Sequence, residues 1–281
     1  MLKVLEQGVS MLHTDKTGDN ETFTKAALLN SKYECVASLR TTVKDFKITG
    51  AGFGVLRSPS NIREEGDLPE LVGGSAGFDG AKAIRSLRDF NDGGRVKELF
   101  MECIRAVNQA ETWLIYDKGF KSREDYEEFW QSDKNDFCRP YQKKENFPPL
   151  EEWPEHIGAY DYTRKTHLYN KYKACTILQT GDKEGVGFGT FQDSFHEMFA
   201  QIEFNLHTKL ITSFDISAYR APHPSCFEMS HTGVAGFVGS SLDGLSKKNI
   251  AAVIGGGPGC FHLTDIVTDI CSMAVEATEG L

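Results

Sequence analysis

The amino-acid sequence predicts an α+β fold made of an internally duplicated domain. Residues 12–59 align without a gap to residues 175–222, with eleven identities in forty-eight positions. Unrelated sequences of average composition would share about three. In both stretches, short segments rich in β-branched and aromatic residues come first, and segments with the apolar spacing of a helix follow. We therefore expect two copies of an antiparallel sheet followed by helices, related by a pseudo-twofold axis.

The predicted strands of each copy are short and are separated by turn residues. An apolar stretch ends at a Thr-Gly-Asp turn, at residues 17–19 and again at 180–182, and a second extended segment continues to Glu34 or Glu197. Two further segments in each copy are separated by only two or three residues, which is the spacing of an antiparallel pair. They cover residues 34–43 and 46–56 in the first copy and 197–206 and 209–219 in the second.

Helical spacing of apolar residues begins after the strands of each copy. It predicts long helices over residues 96–111 and 263–276. In the second of these helices, Ile266, Ile270 and Met273 lie on one stripe, as expected for a helix that packs one face against a core.

The repeat divides the chain into three regions. The first copy covers residues 1–112, an insertion without a counterpart covers 113–158, and the second copy covers 159–281. The insertion combines helix-like spacing at 118–134 with a strap rich in proline and aromatic residues at 147–154. An unstructured linker would contain few Trp and Phe residues. We expect the insertion to act as a lid or a dimer contact, or as an arm that only joins the two copies.

Composition restricts the partners of the protein. A net charge of −9 argues against nucleic acid and anionic membranes, because both need basic patches. No run approaches the roughly 18 apolar residues of a membrane span, and the first ten residues lack the apolar core of a signal peptide. Seven cysteines without a Cys-x-x-Cys pair favour reduced thiols. The sequence predicts a cytoplasmic homodimer with no nucleic-acid partner and no membrane partner.

A glycine-rich segment leads into the last predicted helix. Residues 255–259 read Gly-Gly-Gly-Pro-Gly, and Cys260 and His262 follow. Both side chains are expected at or just before the helix N-terminus, where unpaired N–H groups favour anions and lower the pKa of a thiol.

Thiol and imidazole groups are concentrated in the second copy. At the aligned positions the first copy holds other residue types, and it has no counterpart to residues 258–262. Because a scaffold feature should recur in both copies whereas a specialised site should not, we expect a functional site in the second copy. Its thiol and imidazole residues are His196, His223, Cys226, His231, Cys260 and His262.

Three motifs carry a resemblance over roughly residues 158–275. They are a strand starting His196-Glu197-Met198, a turn from Pro222 to Cys226, and a terminal segment Gly-Gly-Pro-Gly-Cys-Phe-His-Leu-Thr-Asp that ends at Asp265. This region resembles an uncharacterised bacterial family, a domain of unknown function with a C-terminal Gly-Gly-x-x-Gly-Cys-Thr-His-Leu-Thr-Glu motif. Phe261 and Asp265 depart from that motif. The resemblance implies catabolism of phenolic and lignin-like aromatic compounds.

Acid–base chemistry without a cofactor is the favoured interpretation, because acid–base groups are plentiful and no complete nucleophile–base–orienter set or strong metal motif is visible. We expect a lyase that cleaves a carbon–carbon bond of a small phenolic or carboxylated aromatic compound. The predicted catalytic residues are His262, His196, Asp265, Cys260, Tyr160 and Tyr162. The predicted substrate-binding residues are Arg220, Arg57, His231, Cys226 and Trp153. The two arginines have a structural alternative, in which they pair with Glu197 and Glu34.

Three alternatives stay open. The first is a zinc-dependent hydrolase or lyase, with Cys226, Cys260 and His262 as ligands together with His231 or Asp265. The second is a cysteine nucleophile activated by a neighbouring histidine. The third is a ligand-binding or assembly protein without catalytic activity.

Overall fold

A computed structural model describes residues 2–77, 80–133, 138, 161–228, 234–255 and 259–279. The strands are β1 Lys3–Gly18, β2 Glu21–Asn30, β3 Glu34–Thr42, β4 Ile48–Arg57, β5 Glu64–Asp67, β6 Tyr169–Gln179, β7 Glu184–Asp193, β8 Glu197–Asn205 and β9 Ile211–Arg220. The helices are α1 Gly80–Arg85, α2 Arg95–Ala110, α3 Ile115–Lys118, α4 Arg123–Asp133, α5 Pro224–Glu228, α6 Lys247–Ile254 and α7 Phe261–Thr278. Among the helices in these ranges, none combines the length and apolar character needed to cross a bilayer.

The strands form one sheet, and the predicted internal duplication is wrong. A single nine-stranded sheet has the order β5-β4-β3-β2-β1-β6-β7-β8-β9, so there are not two sheets related by a pseudo-twofold axis. The physical reason lies at the strand edges. Two separate sheets would each leave a row of unpaired N–H and C=O groups, and a continuous sheet pairs those groups instead. The expected mixture of strands and helices is present.

The local elements agree more closely with the sequence. Antiparallel pairs join β3 to β4 and β8 to β9, as the spacing of their segments predicts. Helices α2 and α7 occupy the two segments for which helical spacing predicts long helices. Within the predicted insertion, α3 and α4 are the described helices, whereas the strap at 147–154 lies outside the described residues.

The described residues fall into two compact units, which we name after their longest helices. The α7 unit comprises residues 2–8, 129–133, 138, 173–228, 234–255 and 259–279, and the α2 unit comprises 9–77, 80–128 and 161–172. Strands β1 and β6 each contribute residues to both units.

In the α2 unit, helix α2 packs against β2 and β3. Its buried carboxylate Glu102 pairs with the buried Lys171 and, at 2.8 Å, with Arg105. An uncompensated carboxylate at this depth would be strongly destabilising, and the two cations remove that cost.

In the α7 unit, helix α7 packs against β7 and β8, and α6 packs against α7. Side-chain burial alternates along β8, as expected for a strand with one face in the core. The buried side chains are Met198, Ala200, Ile202 and Phe204. From α7, Ile266 and Ile270 are both almost fully buried. Burying one such side chain stabilises a fold by about 1.5–3 kcal/mol.

Glycines in β7 allow α7 to approach the sheet closely. A Cβ atom at Gly187 would lie 2.4 Å from Cγ2 of Ile270, and one at Gly189 would lie 2.6 Å from Cγ2 of Ile266. Both distances are far below van der Waals contact, so any larger residue would push the helix away. This close packing sets the position of the first turn of α7 relative to the end of β7.

Candidate functional site

The turn between β7 and β8 is built around the side chain of Asp193. Its Oδ1 accepts hydrogen bonds from the backbone N–H groups of Phe195, at 2.7 Å, and His196, at 2.6 Å. A short polar side chain at this position stabilises a turn because it replaces a backbone acceptor.

Two other turns use the same device with a neutral residue. Asn30 accepts from the N–H groups of Lys32 and Tyr33 between β2 and β3, at 2.9 and 2.7 Å. Asn205 accepts from the N–H groups of His207 and Thr208 between β8 and β9, at 3.0 and 2.9 Å. Since an amide oxygen is sufficient in these turns, the negative charge of Asp193 is not needed for the turn itself.

The charge of Asp193 is directed at two histidines. Nδ1 of His196 lies 3.0 Å from Oδ1 of Asp193 and 3.2 Å from Oδ2. Nε2 of His262, in the first turn of α7, lies 3.9 Å from Oδ2. The two imidazole rings are 4.1 Å apart between centroids and tilted by 41°. One carboxylate therefore faces two imidazoles that are in contact with each other.

The carboxylate is fully buried, and its ionisation depends on these neighbours. Burial raises the pKa of Asp193, but the charge and hydrogen bond of His196 and the charge of His262 outweigh burial and hold the pKa well below its usual range. Asp193 is thus an anion inside the protein at neutral pH, next to groups that can carry a proton.

Arg220 holds the same turn from the end of β9. Its guanidinium donates to three backbone carbonyls, those of Asp193 at 2.7 Å, Ser194 at 3.1 Å and His196 at 3.0 Å. Arg57 donates to the corresponding carbonyls in the β2–β3 turn, of Asn30, Ser31 and Tyr33. Glu34 and Glu197 lie opposite these arginines in the strand pairs. The hydrogen bonds of both guanidinium groups nevertheless go to carbonyl oxygens.

Both cysteines predicted for the site are buried and protonated at neutral pH. Burial raises the pKa of Cys260 to about 11, although the N–H groups of His262 and Leu263 at the start of α7 act in the opposite direction. Burial raises the pKa of Cys226 to about 12. A reactive thiol needs a lowered pKa, so this arrangement does not favour a cysteine nucleophile.

The other predicted site residues have different surroundings. Asp265 is buried and pairs with Lys247 of α6. Tyr162 belongs to the α2 unit, where its ring packs edge-on against Tyr116 at 4.8 Å. His231, Tyr160 and Trp153 lie outside the described residues.

Asp193, His196, His262 and Phe191 form one cluster, and two of these residues were not expected from the sequence. Asp193 is the first, and the alignment of residues 12–59 with 175–222 holds its signal, because it places Asn30 opposite Asp193. Phe191 is the second, and its fully buried ring lies 4.8 Å from the ring of His262. His223 is also buried, and burial followed by the charge of His196 lowers its pKa to about 4.

Metal-binding capacity is concentrated in the same place. Within the part of the chain that the structure describes, Asp193, His196 and His262 form the one group of three histidine, cysteine or carboxylate side chains whose ligand atoms all lie within 4.8 Å of one another. Neither Cys226 nor Cys260 belongs to it, so the described geometry favours a different set of ligands from the one that the sequence suggests for zinc.

A comparison with known protein families finds a match, and the matched region contains the cluster. Residues 180–276 match the family model described as protein of unknown function (DUF2889). This match supports the expected resemblance to an uncharacterised domain. No curated protein matches the chain, and no solved structure does. The DUF2889 region extends from just before β7 to near the end of α7, and it therefore contains Asp193, His196 and His262.

Proposed function

We propose that the protein is a lyase that uses Asp193, His196 and His262 for acid–base chemistry on a small phenolic or carboxylated aromatic compound. The observation that carries this proposal is the buried carboxylate of Asp193, which contacts two imidazoles in a turn where an amide would be sufficient. A buried charge is costly unless it has a partner, and it is often found where chemistry requires it.

The three side chains can divide the work of a lyase. In a retro-aldol cleavage, a base takes the proton of a substrate hydroxyl, its electron pair forms a carbonyl as the carbon–carbon bond breaks, and an acid returns a proton to the departing carbon. Two imidazoles 4.1 Å apart can supply the base and the acid. Asp193 orients His196 through Nδ1.

Aromatic side chains around the histidines support the proposed substrate class. Phe191 packs against His262 at 4.8 Å, Phe195 lies 6.3 Å from His196, and Phe261 lies 6.2 Å from His262. These rings make the surroundings of the cluster apolar, which favours an aromatic substrate and strengthens electrostatic interactions at the site.

The test is a screen of phenolic acids and related aromatic compounds, with products detected by mass spectrometry. The informative variant is His262→Phe, which keeps a ring beside Phe191 but removes both nitrogens. We expect turnover to fall by about a hundredfold or more. The control is His207→Phe, an exposed turn position, which should retain parental turnover. A His262→Phe protein with parental turnover would refute the proposed chemistry, and compounds that bind without being converted would favour the ligand-binding alternative.

A further inference from the structure

We propose that Asp193, His196 and His262 bind one divalent transition-metal ion, with zinc as the ion that suits them best. This inference rests on the site of the proposed function and changes its chemistry: a histidine that binds the ion would no longer act as a free acid or base, and the ion would polarise the substrate instead. The ligand set is new: it contains neither cysteine, and it includes a carboxylate that the sequence did not suggest as a ligand.

The distances between the ligand atoms suit a metal ion. Zinc binds imidazole nitrogen and carboxylate oxygen at about 2.0–2.2 Å, so two ligands of a tetrahedral ion lie about 3.3 Å apart. Oδ2 of Asp193 lies 3.2 Å from Nδ1 of His196 and 3.9 Å from Nε2 of His262. The ligand atoms of all three residues lie within 4.8 Å of one another, and a shift of about half an ångström by the imidazole of His262 would bring its Nε2 to ligand spacing from Oδ2.

The groups around the ligands hold them in place, as the outer partners of a metal site do. Oδ1 of Asp193 is fixed by the N–H groups of Phe195 and His196, which leaves Oδ2 directed at His262. Arg220 fixes the backbone of the same turn through three carbonyls. On the other side, the glycines of β7 let α7 bring His262 close to the sheet.

The ligand types favour particular ions. Two imidazoles and a carboxylate are typical of zinc and of other first-row divalent ions, whereas Ca²⁺ and Mg²⁺ prefer oxygen ligands alone. Three protein ligands leave a position for water or substrate, which is the arrangement of catalytic rather than structural zinc sites. A bound ion would also neutralise the buried charge of Asp193.

The experiment uses the full-length protein after treatment with a chelator. Co²⁺ is titrated in while its visible d–d absorption is followed, and Zn²⁺ then competes for the same site in calorimetry. We expect one ion per chain, without the intense charge-transfer band that thiolate ligands give to Co²⁺. Asp193→Asn and His262→Phe should each weaken binding by at least about a hundredfold. Loss of an outer partner weakens metal binding by up to about a hundredfold, and loss of a ligand should cost at least as much.

The control variants identify the ligands. Cys226→Ser, Cys260→Ser and Asn30→Asp should leave the affinity for Zn²⁺ within a few-fold of the parent. If His262→Phe does not fold, Asp193→Asn carries the test alone, because Asn30 and Asn205 show that an amide maintains this kind of turn. A parent that binds neither ion, or binding lost in the serine variants, would overturn the inference. Because the titration needs no substrate, its failure is distinguishable from failure of the acid–base proposal.

Discussion

The close contact between β7 and α7 makes Gly189→Ala the most informative perturbation of the scaffold. The added Cβ would lie 2.6 Å from Cγ2 of Ile266 and 2.9 Å from Cδ1 of Ile270. Carbon atoms in contact are normally about 3.5–4.0 Å apart, so α7 must move by about 1 Å. Overpacking of this size costs about 1–3 kcal/mol of unfolding free energy.

The same movement displaces His262 from Asp193, because His262 lies in the first turn of α7. A misplacement of about 1 Å can reduce a rate by about a hundredfold. We therefore expect Gly189→Ala to lose stability in urea denaturation and to lose turnover and Zn²⁺ affinity together. The control is Gly244→Ala, where the new Cβ has no atom within 4 Å. If Gly189→Ala is as stable and as active as the parent, helix approach does not position the site.

Three further predictions concern side chains around the cluster. Arg220→Met should lower the unfolding free energy by about 1.5–3 kcal/mol and also reduce turnover, because it releases the turn that holds Asp193 and His196. Arg57→Met should lower the unfolding free energy without reducing turnover. Equal losses of turnover in the two variants would contradict this prediction. Burial lowers the pKa of His223 to about 4, against about 6.5 for an unperturbed histidine. The unfolded chain therefore takes up its proton first, and stability present above pH 6.5 is lost by up to about 3 kcal/mol as the pH falls towards 4. Denaturation at pH 7.5 and 5 should show a smaller loss in His223→Gln than in the parent, and an unchanged loss would contradict it. Cys260→Ser should keep turnover within a few-fold, since the buried thiol is protonated; a large loss of turnover would restore cysteine chemistry.

Local structure was predictable because its causes are local. The short loops of the β3–β4 and β8–β9 pairs and the apolar spacing of α2 and α7 are visible in a few neighbouring residues. The single sheet was not predictable in this way, because the place of β1 beside β6 depends on backbone groups far apart in sequence. No side-chain pattern specifies which strand edge meets which. The expected homodimer stays a prediction.

The site was predictable only in part. His196 and His262 stood out as imidazoles without counterparts in the aligned residues, and the structure brings them together. Asp193 was missed because an aspartate at a strand end is an ordinary turn residue. For Cys260 the helix N-terminus was expected to lower the pKa, and burial has the larger effect. The role of Arg57 and Arg220 was ambiguous because both bind backbone carbonyls. Every residue carries a backbone carbonyl, so the sequence does not indicate which ones an arginine binds.

The central claim is that the charge of Asp193 serves the histidines and not the turn. The most direct test is the turnover of Asp193→Asn on the compound found by screening, relative to the parent, in a protein shown by its melting curve to be folded. The amide can still accept from the N–H groups of Phe195 and His196 as Asn30 does in its own turn, so melting should stay within a few degrees. We predict that turnover falls by about a hundredfold or more. Parental turnover in a folded Asp193→Asn protein would contradict the account.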